Sequence, residues 1–271
     1  MAAVETAVVT GAGRGLGRAI ASRLADRGLA VLVTDVDAEL AERSAREIGR
    51  GATPEQLDVR DPQALHSIAA RAAARGRLAV WVNNAGVLRT EHVWDHTDDA
   101  VDLIVATNLL GVVHGSRAAV NAMRGNGGGR ILNIASLSSL APAPGLAVYG
   151  ASKQGVLAFS IALQAELREA GVPIEVRSVC PDAIETDMVR ERAGDPEAAL
   201  IWSGGRLLSV DEVADRAVEL LYGDRLLATV PAWRGAVARA ISLAPGIGIR
   251  TLPAMRWFGE RRRDRWRRAS S

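Results

Sequence analysis

Tyr149 and Lys153 close the segment S-L-S-S-L-A-P-A-P-G-L-A-V-Y-G-A-S-K, which begins at Ser136. Their spacing of four residues puts both side chains on one face of a helix. Lys153 is the only lysine among 33 basic residues, and Tyr149 is one of two tyrosines. A chain that uses arginine everywhere else carries an ammonium here. Lysine is a compact point charge on a flexible stem, and its field favours the ionised form of a neighbouring phenol. The plainer reading of the pair is a solvated lysine beside a half-buried tyrosine.

A second stretch suits an anion. Thr10-Gly11-Ala12-Gly13-Arg14-Gly15-Leu16-Gly17 follows a short apolar run and opens a helical one. Glycines let the backbone turn sharply and approach a pyrophosphate, and a helix N-terminus offers free N–H groups to it. Asp35 lies at the distance where dinucleotide-binding turns place an acid. A carboxylate there accepts hydrogen bonds from the adenosine ribose and repels a 2′-phosphate. Arg14 pulls the other way, because a guanidinium pairs with such a phosphate. Direct repulsion at Asp35 outweighs a nearby arginine, so NAD is expected rather than NADP.

The elements that must hold these residues alternate. Ala7–Thr10, Ala30–Thr34, Leu78–Val82, Arg130–Ala135 and Ile174–Val179 are apolar runs of strand length. A third strand is implied before Asp58. Amphipathic segments lie at about 15–27, 38–49, 62–75, 98–124 and 150–170, followed by Val210–Tyr222 and a last strand, Leu226–Val230. Strand, helix, strand repeated this way predicts right-handed βαβ units, a doubly wound parallel sheet and an α/β Rossmann-type fold. Ligands bind beyond the carboxyl ends of such strands. Gly11, Asp35, Asp58, Asn83–Gly86, Ser136 and Pro181 all fall at those ends.

With these motifs in hand, the chain resembles the short-chain dehydrogenase/reductase family over about residues 4–230. The resemblance rests on residues 10–17, Asp35, Asp58-Val59, Asn83-Asn84-Ala85-Gly86, Asn108, Ser136, Tyr149-x-x-x-Lys153 and Pro181 through Thr186. It implies an NAD(P)-dependent oxidoreductase that interconverts an alcohol and a carbonyl. Tyr149 would be the general acid/base, helped by Lys153 and the positive nicotinamide. Lys153 would also bind the nicotinamide ribose. Ser136 would position the substrate oxygen, and Asn108 would hold a water linking Lys153 to solvent. Gly11, Arg14, Gly15, Leu16 and Gly17 would take the pyrophosphate side, and Asp58 and Val59 would flank the adenine. Asn84, Ala85 and Gly86 would line the adenosine ribose, and Ile184 and Thr186 would meet the carboxamide. The rival class is a non-catalytic NAD-binding or scaffold protein that retains the fold. One departure stands out: the family has Pro-Gly after the sixth strand, and this chain has Pro181-Asp182. Asp tolerates positive φ, so the turn is expected to survive.

Composition limits the alternatives. The single cysteine, Cys180, excludes an internal disulfide and any multi-cysteine metal site, and it reads as an inert core thiol. His92 and His96, near Glu91, Asp95 and Asp98, read as a solvated loop, and no metal site is expected. Residues 1–10 lack a basic leader region, so a cytoplasmic protein is expected. The segment about 187–209 carries Met188, Leu200, Ile201, Trp202, Leu207 and Leu208, and this flap suits a hydrophobic steroid-, terpenoid- or long-chain-type alcohol or ketone. A homodimer or homotetramer is expected through helices 98–124 and 150–170. Their small residues Gly111, Gly115, Ala118, Ala119, Gly155, Ala158 and Ala162 favour close approach.

Charge divides the chain into a catalytic part, 1–231, and an extension, 232–271. Residues 250–271 hold eight arginines against Glu260 and Asp264, while the rest of the chain is net acidic. An acidic body argues against nucleic acid as partner. Trp233, Val237 and Ile241 recur every four residues, and Pro245-Gly246 breaks that helix. Two uses of the extension are expected. Either its first half packs over the substrate pocket or a neighbouring subunit, leaving the last ten residues disordered, or its aromatic and basic residues touch an anionic membrane peripherally.

Overall fold

The computed structural model describes residues 4–270. Its strands are β1 (Glu5–Thr10), β2 (Ala30–Asp35), β3 (Thr53–Gln56), β4 (Arg77–Asn83), β5 (Gly129–Ile134), β6 (Ile174–Pro181) and β7 (Leu227–Val230). All neighbours are parallel, in the order β3-β2-β1-β4-β5-β6-β7. The winding reverses between β1 and β4, which opens a crevice at their carboxyl ends.

The helices are α1 (Gly15–Asp26), α2 (Ala38–Ile48), α3 (Pro62–Arg75), α4 (Asp98–Val105), α5 (Gly111–Met123), α6 (Ala147–Glu169), α7 (Asp187–Arg190), α8 (Val210–Tyr222), α9 (Ala232–Leu243) and α10 (Pro245–Ser270). One face of the sheet is covered by α1, α2 and α8 through Ile20, Leu24, Ile48, Val213 and Leu221. The other is covered by α3, α5 and α6 through Leu65, Ile68, Ala118, Met123 and Leu167. Central strands are therefore buried on both sides, which is why stretches such as Ala7–Val9, Val31–Val33 and Leu78–Val82 are apolar throughout. Each fully buried Leu or Ile contributes about 1.5–3 kcal/mol.

Three local outcomes differ from the expected pattern. The third strand, Thr-Pro-Glu-Gln, has no apolar run because it is the sheet edge, where Pro54 is tolerated. The stretch expected as one helix over 98–124 is interrupted by a π turn, Ala106–Leu110, centred on Asn108. The glycines and alanines offered for self-association divide. Gly111 presses on Val59, Gly115 on Asn83 and Gly155 on Leu109, and Ala118 and Ala119 are buried in the chain's own core. Ala158 and Ala162 remain exposed on α6, beside Ile161.

The extension differs most. The expected apolar face of α9 divides: Trp233 is largely open, whereas Val237 and Ile241 line the cavity at the strand ends, and the residues buried against the sheet are Gly235 and Ala238. Gly235 sits against Thr229 of β7, where a Cβ would lie 2.2 Å from the Thr229 hydroxyl, so only a residue without one lets α9 approach. The last ten residues are not disordered up to Ser270; they continue α10. That helix lies on a 3₁₀ segment, Pro196–Ser203. Arg256 clasps Glu197 at 2.7 and 3.0 Å, Arg263 donates to the Asp195 carbonyl at 2.7 Å, and Trp266 packs 6.1 Å from Trp202. Gly259 touches the Ala199 carbonyl, where a Cβ would stand at 2.1 Å.

Candidate functional site

The glycine turn is built by close packing. Gly11 and Gly15 have φ of +61° and +55°, the left-handed region open to glycine. A Cβ on Gly17 would lie 2.3 Å from the Gly11 carbonyl and 2.5 Å from Asn84 Nδ2. Asn84 Nδ2 donates to the Thr10 and Gly11 carbonyls at 3.0 and 2.9 Å, and the Ala85 amide donates to Thr10 Oγ1 at 3.1 Å. The ends of β1 and β4 are thereby tied together. No side chain caps α1 and no acid lies in its first turn, whereas Asp37, Asp61, Thr97 and Ser209 cap α2, α3, α4 and α8. Its first N–H groups are left for an anion. Asp35 accepts from the Gly13 amide at 2.9 Å, which fixes the turn to the end of β2. Arg14 reaches away from Asp35 to Asp187, at 3.5 Å. Asp58 is held by Arg60, whose guanidinium keeps that carboxyl below its usual range.

A cavity of about 580 Å³ runs along these strand ends. Arg14, Leu16, Asp58, Val59, Gly86, Ile184, Thr186, Ser136, Tyr149 and Lys153 all line it, with the glycines of the turn, Asp35, Asn84 and Ala85. The lining, the uncapped helix and the glycine cradle fit a dinucleotide. Asn108 is the exception among the expected residues. It is buried behind the wall, where its amide exchanges hydrogen bonds with the Val87 backbone at 2.8 and 2.9 Å and reaches Ser152 Oγ at 3.4 Å. The π turn aims it there. Gly86 lies between it and Lys153: a Cβ on Gly86 would be 3.2 Å from Asn108 Oδ1 and 3.7 Å from Lys153 Nζ.

Ser136, Tyr149 and Lys153 meet at one end of the cavity. Ser136 follows β5 and starts a 3₁₀ turn, Leu137–Ser139, as half of a capping box. Ser139, the other half, donates to the Lys153 carbonyl at 2.8 Å and so joins that turn to α6. Lys153 Nζ donates to the Ile134 carbonyl at 2.8 Å and lies 5.9 Å from the Tyr149 ring centre. Burial pushes the Tyr149 phenol up, and its hydrogen bond with Ser136 draws it back. The field expected from Lys153 therefore does not by itself lower the phenol. Burial also pushes the Lys153 ammonium down, from 10.5 to about 8.

That depression makes a pH signature. Between about pH 8 and 10.5 the unfolded chain still holds the Lys153 proton and the folded chain has released it, so stability rises with pH across this window. From pH 7.5 to 10 the wild type is expected to gain up to about 3 kcal/mol of unfolding free energy relative to Lys153→Met. Denaturant titrations over that range measure it. Parallel curves would mean that the buried amine is not depressed.

Asp182, the departure from the family pattern, has a partner 52 residues away. Arg234 Nε donates to its Oδ2 at 2.7 Å, and the same guanidinium donates to Ser203 Oγ at 3.1 Å. Both charged side chains are 11% exposed. The extra carboxylate near the pocket is thus neutralised, and it latches α9 to the end of β6 and to the 3₁₀ segment. Positive φ is not needed: among the described non-glycine residues only Arg50 has it. Ile184 beyond the latch pairs with Leu208, and Thr186 faces Gly15 across the cavity. Ser152 and Arg234 escaped the sequence reading. Only the anomalous Asp182 and the additional tail hinted at the last. His92 is no ligand-like histidine; it stacks on Trp94 at 4.6 Å and lies 3.4 Å from Glu197. Cys180 is buried, and burial pushes its thiol up to about 11.

Comparison with known proteins agrees with this geometry. The family model described as short chain dehydrogenase matches residues 5–197. The 3-oxoacyl-[acyl-carrier-protein] reductase FabG of Escherichia coli (strain K12) is 36% identical over 223 residues, 81% of this chain and 90% of that protein. The probable oxidoreductase EphD of Mycobacterium tuberculosis is 38% identical over 186 residues, 67% of this chain but 31% of that longer protein. Among solved structures, a short chain dehydrogenase/reductase from Burkholderia phymatum in complex with NAD superposes with a TM-score of 0.82 at 24% identity, covering 90% of this chain and 95% of that one. A glycine turn at the β1–β4 crevice, with a serine, tyrosine and lysine gathered beyond β5, accompanies a match over most of the chain, and the protein belongs to the short-chain dehydrogenase family.

Proposed function

We propose that this protein is an NAD-dependent dehydrogenase/ketoreductase that interconverts an apolar alcohol and the corresponding carbonyl compound. The observation that carries the reading is the convergence of Ser136, Tyr149 and Lys153 at one end of a cavity whose other end is the glycine turn and Asp35. A nicotinamide bound there would take a hydride from the carbinol carbon, or return one to the carbonyl carbon. Tyr149 accepts the hydroxyl proton in oxidation and gives it back in reduction. Ser136 holds the substrate oxygen beside the phenol. Lys153 supplies positive charge at the phenol's edge, and Asn108 fixes the Gly86–Val87 backbone against which Lys153 rests.

Asp35 supports NAD. Its carboxylate lines the cavity at the end of β2, where it would repel a 2′-phosphate, and Arg14 lies 3.5 Å from Asp187. Leu146, Leu200, Ile201, Ile241, Leu252 and Met255 line the substrate end, which supports an apolar substrate. The named activity of the Escherichia coli relative, reduction of a 3-oxoacyl group, supports carbonyl chemistry. A binding protein without catalysis would not need a lysine that loses solvation to stand beside a buried phenol. Alcohol and ketone panels with NAD(H) and NADP(H), followed by nicotinamide absorbance, test the reading. Turnover of apolar secondary alcohols at least about tenfold better with NAD⁺ is expected. Preference for NADP⁺ or for small charged substrates overturns it.

A further inference from the structure

A second cavity of about 280 Å³ lies between the 3₁₀ segment and α10, lined by Pro144, Glu197, Ala199, Leu200, Ile249, Leu252, Pro253 and Arg256. Leu200, Ile249 and Leu252 also line the main cavity, so the two spaces share a wall of three aliphatic side chains. The other walls are apolar except for Glu197 and Arg256, which satisfy each other in a two-point contact at 2.7 and 3.0 Å. Neither charge is left to bind an ionic ligand. The α10 wall is anchored, by Arg263 to the Asp195 carbonyl and by Trp266 beside Trp202. It comes from the extension, beyond residue 197, where the family match ends.

We infer that this second cavity is a subsite for the distal part of an elongated, uncharged substrate. The reacting oxygen sits at Ser136 and Tyr149, and the hydrocarbon chain passes Leu200 and Leu252 into the space under α10. The occupant is one molecule spanning both cavities, a long-chain secondary alcohol or ketone, because the two spaces abut along Leu200, Ile249 and Leu252, aliphatic side chains that line both. The inference rests on the dehydrogenase reading above and adds to it a chain length.

The test is a series of 2-alkanols from four to fourteen carbons with NAD⁺ and the full-length protein. In the wild type, kcat/KM is expected to rise about three- to fourfold per added methylene until both cavities are filled. Pro144→Trp and Pro253→Trp, at exposed positions that line the second cavity alone, put an indole on opposite walls of it. In each, the rise is expected to stop several carbons earlier, and the ratio of kcat/KM for decanol to that for butanol to fall at least about tenfold. NADH titration by fluorescence confirms in each variant that the cofactor end is intact. Identical length profiles in wild type and in either folded variant would overturn the subsite while leaving the dehydrogenase standing. No turnover of any alcohol or ketone with either cofactor would overturn the dehydrogenase reading, and the subsite with it.

Discussion

Tyr149→Phe is expected to lower kcat by about 10²–10⁴-fold, with NADH affinity unchanged within about twofold. The change removes one oxygen from the first turn of α6 and keeps the ring. The glycine turn, Asp35 and the α1 N-terminus are untouched, so the cofactor end of the cavity is the same. The lost group is the one that moves the substrate proton. Its nearest polar neighbours are ill placed to replace it: Ser136 hydrogen-bonds the phenol itself, and Lys153 Nζ is committed to the Ile134 carbonyl at 2.8 Å. Because the phenol is pushed up by burial, wild-type oxidation is expected to speed up toward alkaline pH, where the phenolate is more populated. The variant should lose that dependence. Steady-state rates and a fluorescence titration measure the two quantities. A Tyr149→Phe protein with near-normal turnover would remove Tyr149 from the mechanism.

Asn83→Leu is expected to destabilise the fold by about 3–6 kcal/mol, with Tm falling by roughly 10–20 °C. Asn83 ends β4 and is 3% exposed. Its Oδ1 accepts from Trp81 Nε1 at 2.7 Å, and its Nδ2 donates to Asn133 Oδ1 at 2.8 Å and to Ser116 Oγ at 3.0 Å. Asn133 in turn donates to Ser160 Oγ at 2.8 Å, which donates to the Val156 carbonyl at 2.7 Å. One buried amide thus joins β4, β5, α5 and α6. Leucine matches its volume roughly but leaves an indole N–H, an amide oxygen and a hydroxyl without their partner, each at about 1–3 kcal/mol. Gly115 presses on Asn83 Oδ1 so closely that a Cβ there would lie at 2.3 Å, so no water can substitute. The adjoining Asn84–Gly86 turn should loosen as well, and NADH affinity fall with it. Thermal unfolding followed by circular dichroism gives the answer; a loss under about 1 kcal/mol would show that the network carries no stability.

The sequence by itself determined the parts of this protein that depend on local spacing. Apolar runs of strand length, separated by amphipathic segments, required a parallel sheet wound on both sides, because a strand covered by helices on both faces is mostly apolar along its length. Glycines at 11, 15 and 17 and the acid at 35 marked the ends of β1 and β2, and the four-residue step from Tyr149 to Lys153 marked α6. Tertiary structure decided what depends on partners far apart in the chain. Nothing local in Thr-Pro-Glu-Gln announces an edge strand, since its pairing comes from β2. The π turn at Asn108 exists because Val87, 21 residues earlier, captures its amide. Periodicity found a helix at 232–243 but not its contact with β7, where Thr229 admits only Gly235. Asp182 looked like a defect in a turn until Arg234 was brought to it. Of the basic tail, Arg256 and Arg263 are spent on Glu197 and the Asp195 carbonyl, partners that only the fold brings to them. Periodicity is a property of one segment, whereas an ion pair or a cavity wall is a property of two segments in register. Only the packed fold sets that register.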